Sequence, residues 1–265
     1  GMNIMQLPEW LRLKDRYFWL TAFIIAKNAV TREYQNSFLG IVWTVILPLI
    51  QVIIFSIIMP LIMARPVENY PLYLVASFPL WAFISGSLVQ SCSSIITRAE
   101  TIKRCMVSSV IFPIADILKQ FYNYLVAFIT MYAFCLLFYG GFDPIVLWLP
   151  LLLPPVLISV MAFSIAISYV ATYVRDVGYA MHMLVTILFW FTPVVYPLQV
   201  ISEQYHWMFW LNPFYVLMHP LQQLVFEHAL PGAVDVLAML AVTCASMVGS
   251  FFLYRLCRRD YVYYL

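Results

Sequence analysis

Phe189, Trp190 and Phe191 stand side by side just ahead of Pro193, with Trp43 and Tyr196 as further aromatic residues in apolar surroundings. Aromatic faces stack on the apolar C–H faces of sugar rings, and they hold no fixed charge that would trap a passing polymer. The same side chains also serve as packing residues or headgroup-level belts, and residue type alone leaves both readings open. Acidic and basic residues gather at the ends of the apolar segments. The segment interiors are almost free of the ionisable groups that ion-coupled transport uses at mid-membrane.

Other chemistries lack their residues. No GxxxxGK[ST] loop is present to cradle phosphates, so the chain is not expected to hydrolyse ATP. There is no HExxH, no GxSxG, no acid pair at chelating spacing and no cytoplasmic acidic constellation for a nucleotide-sugar metal complex. His206, His219 and His228 are irregularly spaced and read as interfacial polar residues rather than a metal site. Cys92, Cys105, Cys135, Cys244 and Cys257 are odd in number, without metal-ligand spacing, and read as small buried hydrophobes. A membrane-embedded glycan-modifying enzyme, the rival from another class, would have only Glu203, His206, His219, Glu227 and His228 as extracytoplasmic acids or bases.

The elements that position these residues follow from composition. The chain is 64% hydrophobic and 10% charged, against about 25% charged in a soluble domain. Lipid must be the solvent for much of that surface, and the long continuous apolar runs specify helices rather than a barrel. A span needs about 20 apolar residues. Six segments qualify: 38–63, 72–96, 117–139, 145–173, 179–197 and 234–256. Pro150, Pro154 and Pro155 predict a bend or break near the start of the fourth. No cleavable signal peptide is expected before the first span.

Cations set the orientation. Arg12, Lys14, Arg16, Lys27 and Arg32 precede the first span, and Arg98, Lys103, Arg104 and Lys119 fall between the second and third. Arg175 lies between the fourth and fifth, and Arg255, Arg258 and Arg259 follow the last, which leaves only Arg65 on the other side. Both termini are therefore expected in the cytoplasm. Trp10, Leu13, Tyr17, Leu20 and Ile24 recur at helical spacing before the first span, which predicts a helix lying in the interface plane. That helix serves equally as an anchor or as a docking surface. Thr97, Thr101 and mixed charges suit a short surface helix within 97–116, a solvated loop being the equal alternative. The region 198–232 is apolar yet broken by Pro213, Pro220 and Pro231, which predicts re-entrant or interfacial half-helices with a turn at Asn212-Pro213.

The motifs, taken in order, resemble the permease subunits of polysaccharide-export ABC transporters of the ABC type-2 class, which move O-antigen, capsule or teichoic acid chains. They are Arg32-x-Tyr34-x-x-Ser37-x-Leu39-Gly40-x-x-Trp43, Pro48-Leu49 and Phe78-Pro79-Leu80-Trp81-x-Phe83. Tyr173-x-Arg175-Asp176, Thr192-Pro193-Val194-x-Tyr196-Pro197 and Leu211-Asn212-Pro213 complete the set. The basic residue usual after the motif tyrosine is Gln35 here.

The resemblance implies an all-α polytopic membrane protein: a cytoplasmic amphipathic interface helix over 1–33, then a permease domain over 34–265. That domain holds six spans, a coupling loop over 98–116 and a periplasmic re-entrant region over 198–232. It implies a transport subunit rather than an enzyme, in the inner membrane, without nucleic acid. ATP and Mg would sit on a separate ATP-binding subunit in two copies, beside a homodimer of this permease and a lipid-linked polysaccharide, O-antigen first among the substrates. Trp43, Phe189, Trp190, Phe191 and Tyr196 would then line a conduit at the dimer interface formed chiefly by the first and fifth spans. Glu100, Lys103 and Arg104 would dock the ATPase. Lys27, Arg32 and Tyr34 would lie near the lipid pyrophosphate, and Arg175 with Asp176 would hold the cytoplasmic gate. An ABC type-2 exporter of a drug or lipid is the rival within transport.

Overall fold

The computed structural model describes residues 16–35, 42–63, 67–105, 108–139 and 143–257. The described residues form helices joined by turns and short extended stretches, with no strand among them. The α-helices are α1 (Arg16–Tyr34), α2 (Val42–Ile62), α3 (Tyr70–Ser94), α4 (Ala99–Cys105) and α5 (Ile111–Tyr139), followed by α6 (Leu149–Tyr173), α7 (Val177–Phe191), α8 (His206–Trp210), α9 (Pro213–Val225) and α10 (Ala233–Cys257). Trp10, Leu13, Ser37, Leu39, Gly40, Arg65, Arg258 and Arg259, which carried parts of the sequence reading, lie outside the described residues.

Five stretches have the length and apolar composition to cross a bilayer: Val45–Ile62, Tyr70–Ser94, Ile111–Leu137, Pro144–Tyr173 and Ala233–Cys257. The segment 179–197 falls short of that measure. Its helix α7 has 15 residues, about 22 Å at 1.5 Å per residue against a hydrocarbon core of about 30 Å. The helix stops because Thr192 precedes a proline, which disfavours helical geometry, and Thr192 is extended at φ −109° and ψ 124°.

The proline-rich start of the fourth segment does contain a break, but ahead of Pro150. A 3₁₀ turn, Pro144–Trp148, is capped by Asp143, whose side chain accepts from the Ile145 amide at 2.9 Å. It passes into α6 with Pro150 in the first turn, where no N–H is needed. Pro154 and Pro155 are accommodated inside the helix.

α3 is the central helix, packed against α2, α5, α6, α7 and α9. Its apolar window is 78% buried, whereas that of α2 is 6% buried and α7 has no buried residue. Water exclusion cannot drive packing between helices in lipid, so close contact and interhelical hydrogen bonds carry it. α10 lies along α6, where Ser159 Oγ donates to Thr243 Oγ1 at 2.9 Å and the Tyr169 and Tyr254 rings meet edge to face. α1 packs on α5 through Phe18, Ala22 and Ala26, leaving Tyr17, Leu20 and Ile24 exposed. The described part of the apolar series, Tyr17, Leu20 and Ile24, is therefore the outward face, and the alanine-bearing stripe beside it makes the contact.

Leu80→Ala in α3, where the side chain is fully buried, is expected to cost about 2 kcal/mol through the cavity it leaves. Ile57→Ala in α2, 62% exposed, should stay within about 0.5 kcal/mol for the isolated chain. Reversible denaturation in mixed micelles distinguishes the two.

Candidate functional site

Phe189, Trp190, Phe191 and Tyr196 converge at the end of α7. Phe189 is half-buried, its ring 6.2 Å from Trp81 and 5.3 Å from Trp190. Trp190 and Phe191 are 55% and 50% exposed, so the run presents one aromatic face outward while Phe189 anchors it. Tyr196 folds back so that its hydroxyl donates to the Trp190 carbonyl, and its ring packs against Phe209. Trp43 is not part of this group. It lies exposed on the first turn of α2, about three turns before Phe55, which packs on Phe78 of α3.

A buried polar network fixes the segment that carries the aromatic run. The Tyr70 hydroxyl donates to the Val195 carbonyl, and the Tyr73 hydroxyl is shared between the carbonyls of Pro193 and Tyr196. Gln222 Nε2, from α9, lies 3.0 Å from the Pro193 carbonyl, 2.9 Å from Ser77 Oγ and 3.2 Å from the Tyr73 hydroxyl. Asn212 caps α9 by accepting from the Phe214 amide at 3.0 Å, and its Nδ2 donates to the Phe191 carbonyl and to Thr192 Oγ1. The Asn212-Pro213 turn expected from the sequence is thus also the strap that holds the end of α7.

Sequence reasoning missed Tyr70, Tyr73, Ser77 and Gln222. Two signals were available: tyrosines three apart on one helix face, and an amide within an otherwise apolar stretch.

The charged residues singled out from the sequence gather at the opposite end of α3. Within the short helix α4, Glu100 and Arg104 pair at 3.0 Å, both about four-fifths exposed, and Lys103 is exposed beside them. Such a pair contributes about 0.3–0.5 kcal/mol, so its charges remain open to a partner. Lys27 and Arg32 are exposed on α1, and the Tyr34 hydroxyl donates to Asn123 Oδ1 at 3.3 Å. Arg175 and Asp176 are exposed in the turn between α6 and α7, and among the described residues no ion pair joins them.

The histidines after α7 take separate partners. His206 Nε2 meets the Ile201 carbonyl at 2.9 Å, His219 lies 4.0 Å from Asp235, and His228 meets Asp143 at 2.8 Å. His228 also holds a left-handed backbone at φ 54°. Burial lowers the His219 imidazole below its ordinary value, against the pull of the Asp235 carboxylate. Burial first, then the Asp235 charge, raises the Glu227 carboxyl.

These features define a multi-pass α-helical membrane protein with an exposed aromatic edge at one end and an exposed charged helix at the other. The family model for the ABC-2 type transporter matches residues 21–226, and the chain belongs to that family. It is similar to the O-antigen export system permease protein RfbA of Myxococcus xanthus, 25% identical over 225 residues, covering 83% of this chain and 85% of the relative. Two proteins of the same name from Klebsiella pneumoniae are each 25% identical over 200 residues, covering 74% of this chain and 76% of the relative.

Two outcomes follow for this region. Tyr73→Phe and Gln222→Leu each leave buried carbonyls short of donors, and each is expected to lower stability by about 1–3 kcal/mol in micellar denaturation. For His219 the sign is fixed by its lowered value. The unfolded chain takes up a proton near pH 6.5 while the folded chain resists until lower pH. Its stabilising contribution is therefore complete above pH 6.5 and is lost as the pH falls through that value. His219→Gln should flatten the thermal midpoint between about pH 7.5 and about pH 5.5 relative to wild type, the Glu227 contribution being common to both.

Proposed function

We propose that this chain is the membrane subunit of an ATP-driven exporter that moves a lipid-linked polysaccharide, O-antigen foremost, from cytoplasm to periplasm. The observation that carries this reading is the pairing of two unburied apolar helices, α2 and α7, with the exposed Trp190 and Phe191 at the end of α7. Helices so bare in one copy are suited to a second copy, and aromatic side chains on such a boundary can stack on sugar rings without trapping a charge. The similarity to proteins named as O-antigen export permeases, over 83% of the chain in one case, supports the substrate class.

On this reading α7 together with 192–197 supplies a sixth crossing, and both termini lie in the cytoplasm, where the cations collect. The residues 198–232, with α8 and α9, form the periplasmic re-entrant region that shapes the exit. Phe189, Trp190, Phe191 and Tyr196 line the conduit near that exit, and Trp43 lines its cytoplasmic mouth. The N-terminal segment with α1, and α4, face a separate ATP-binding subunit that carries ATP and Mg, with Glu100, Lys103 and Arg104 as its docking charges. Two permeases and two such subunits complete the exporter in the inner membrane. Lys27, Arg32 and Tyr34 meet the lipid pyrophosphate, and Arg175 with Asp176 borders the cytoplasmic gate.

Trp190→Ala with Phe191→Ala is expected to reduce surface polymer about tenfold while the chain stays at normal abundance and still retains its ATP-binding subunit. Gel analysis of surface glycan together with co-purification reads both. An unchanged glycan ladder would remove the aromatic run from the conduit.

A further inference from the structure

Asp116, Lys119 and Asn123 recur at intervals of three and four on α5, so they lie on one face of the helix. Asp116 reaches the turn before α4, and Lys119 and Asn123 both reach the end of α1. Asp116 receives Arg98 in a bidentate pair at 2.7 and 2.8 Å, and Ser94 Oγ donates to the same carboxylate at 2.6 Å. Arg98 also donates to the Ser94 carbonyl at 3.0 Å and lies 5.4 Å over the Phe112 ring. One turn on, Lys119 Nζ meets Glu33 of α1 at 2.9 Å. One turn further, Asn123 accepts from Tyr34 of α1 at 3.3 Å.

Burial separates this ladder from an ordinary solvated charge cluster. The Asp116 side chain is 6% exposed and that of Lys119 is 18% exposed, whereas the Glu100–Arg104 pair a few residues away is almost fully in solvent. A buried carboxylate held by a two-pronged guanidinium fixes geometry far more tightly than an exposed pair. Beneath the ladder an apolar cluster joins the same elements: Phe18 and Ala22 of α1, Ile102 of α4, and Ile111, Phe112 and Ile114 of α5.

We infer that the Asp116–Lys119–Asn123 ladder is the transmission of the exporter: it locks α4 and the end of α1 to α5, so that the two ATPase-facing elements move as one body with a spanning helix. The inference rests on the proposed function, which turns α1 and α4 toward the ATP-binding subunit. A pull on α4 passes through Arg98, the residue just before it, into Asp116. A push on α1 passes through Glu33 and Tyr34 into Lys119 and Asn123. Without the ladder, α4 would keep its apolar anchor Ile102 in the shared cluster but lose the directional tie through Arg98, and nucleotide-driven motion would be absorbed there rather than delivered to the span. Asp116, Lys119 and Asn123 are thus positioning residues for energy coupling.

The test uses the Glu33–Lys119 rung, because Glu33 is 43% exposed and a reversed pair fits there without burying a lone charge. Glu33→Lys and Lys119→Glu, each in the full complex with its ATP-binding subunit, are expected to cut polymer export about tenfold while co-purification and ATP hydrolysis stay within about twofold. The double reversal Glu33→Lys/Lys119→Glu should restore export to within about threefold of wild type. A double reversal no better than the single variants overturns the inference. So does a parallel fall of subunit retention and hydrolysis in the single variants, the signature of a mere structural prop. A wild-type complex that exports no polymer would instead overturn the functional reading beneath it.

Discussion

At the end of α7 the carbonyls of Phe191, Pro193, Val195 and Tyr196 leave the helical ladder within an apolar surround. In lipid no water is at hand to satisfy them, so non-helical backbone persists only where protein supplies donors. Tyr70 and Tyr73 of α3, Gln222 of α9 and Asn212 supply them here. Much of the architecture follows from that requirement. α3 must lie at the centre to present its tyrosines, α9 must fold back to bring Gln222, and 192–197 is thereby fixed as the platform of the aromatic edge.

The distribution of packing is the second organising fact. α3 packs on α5 and α6 and α10 packs on α6, through aromatic rings such as Phe83, Phe121 and Tyr124 and hydroxyl pairs such as Ser159–Thr243, while α2 and α7 lie on the outside with little burial. Helices that pack closely form a body, and helices that do not are free to face lipid or another copy. The aromatic run sits on one of the outer helices, but its backbone is pinned to the body. A conduit wall in a dimer needs both properties, since it must be exposed to the passing chain and rigid enough to keep its shape.

Much of this was legible in the sequence, and the residues show why. Apolar length located the long helices, because a bilayer demands about 20 apolar residues whatever their order. The charged surface helix α4 and the Asn212 turn were readable from local types alone. The length of α7 was not, since apolar composition runs on past Thr192 while backbone geometry stops at Pro193. Nor was the contact face of α1, where alanines carry too little hydrophobicity to stand out beside Tyr17 and Leu20. The Tyr73–Gln222 contact spans 149 residues, and Arg98–Asp116 joins the two ends of a loop. Periodicity sees neither, because it reports which face a residue occupies and not which residue lies opposite. Of the aromatic site, Phe189, Trp190, Phe191 and Tyr196 come together, and Trp43 lies at another level of the bundle.

An exporter subunit must support directed movement of a glycan through the membrane. The most direct measurement reconstitutes the chain with its ATP-binding subunit in liposomes carrying a lipid-linked polysaccharide on the outer face, and follows its protection from an added glycosidase. Protection is expected to grow only when ATP and both proteins are present. Protection without ATP, or chemical change of the glycan by this chain alone, would contradict the exporter reading.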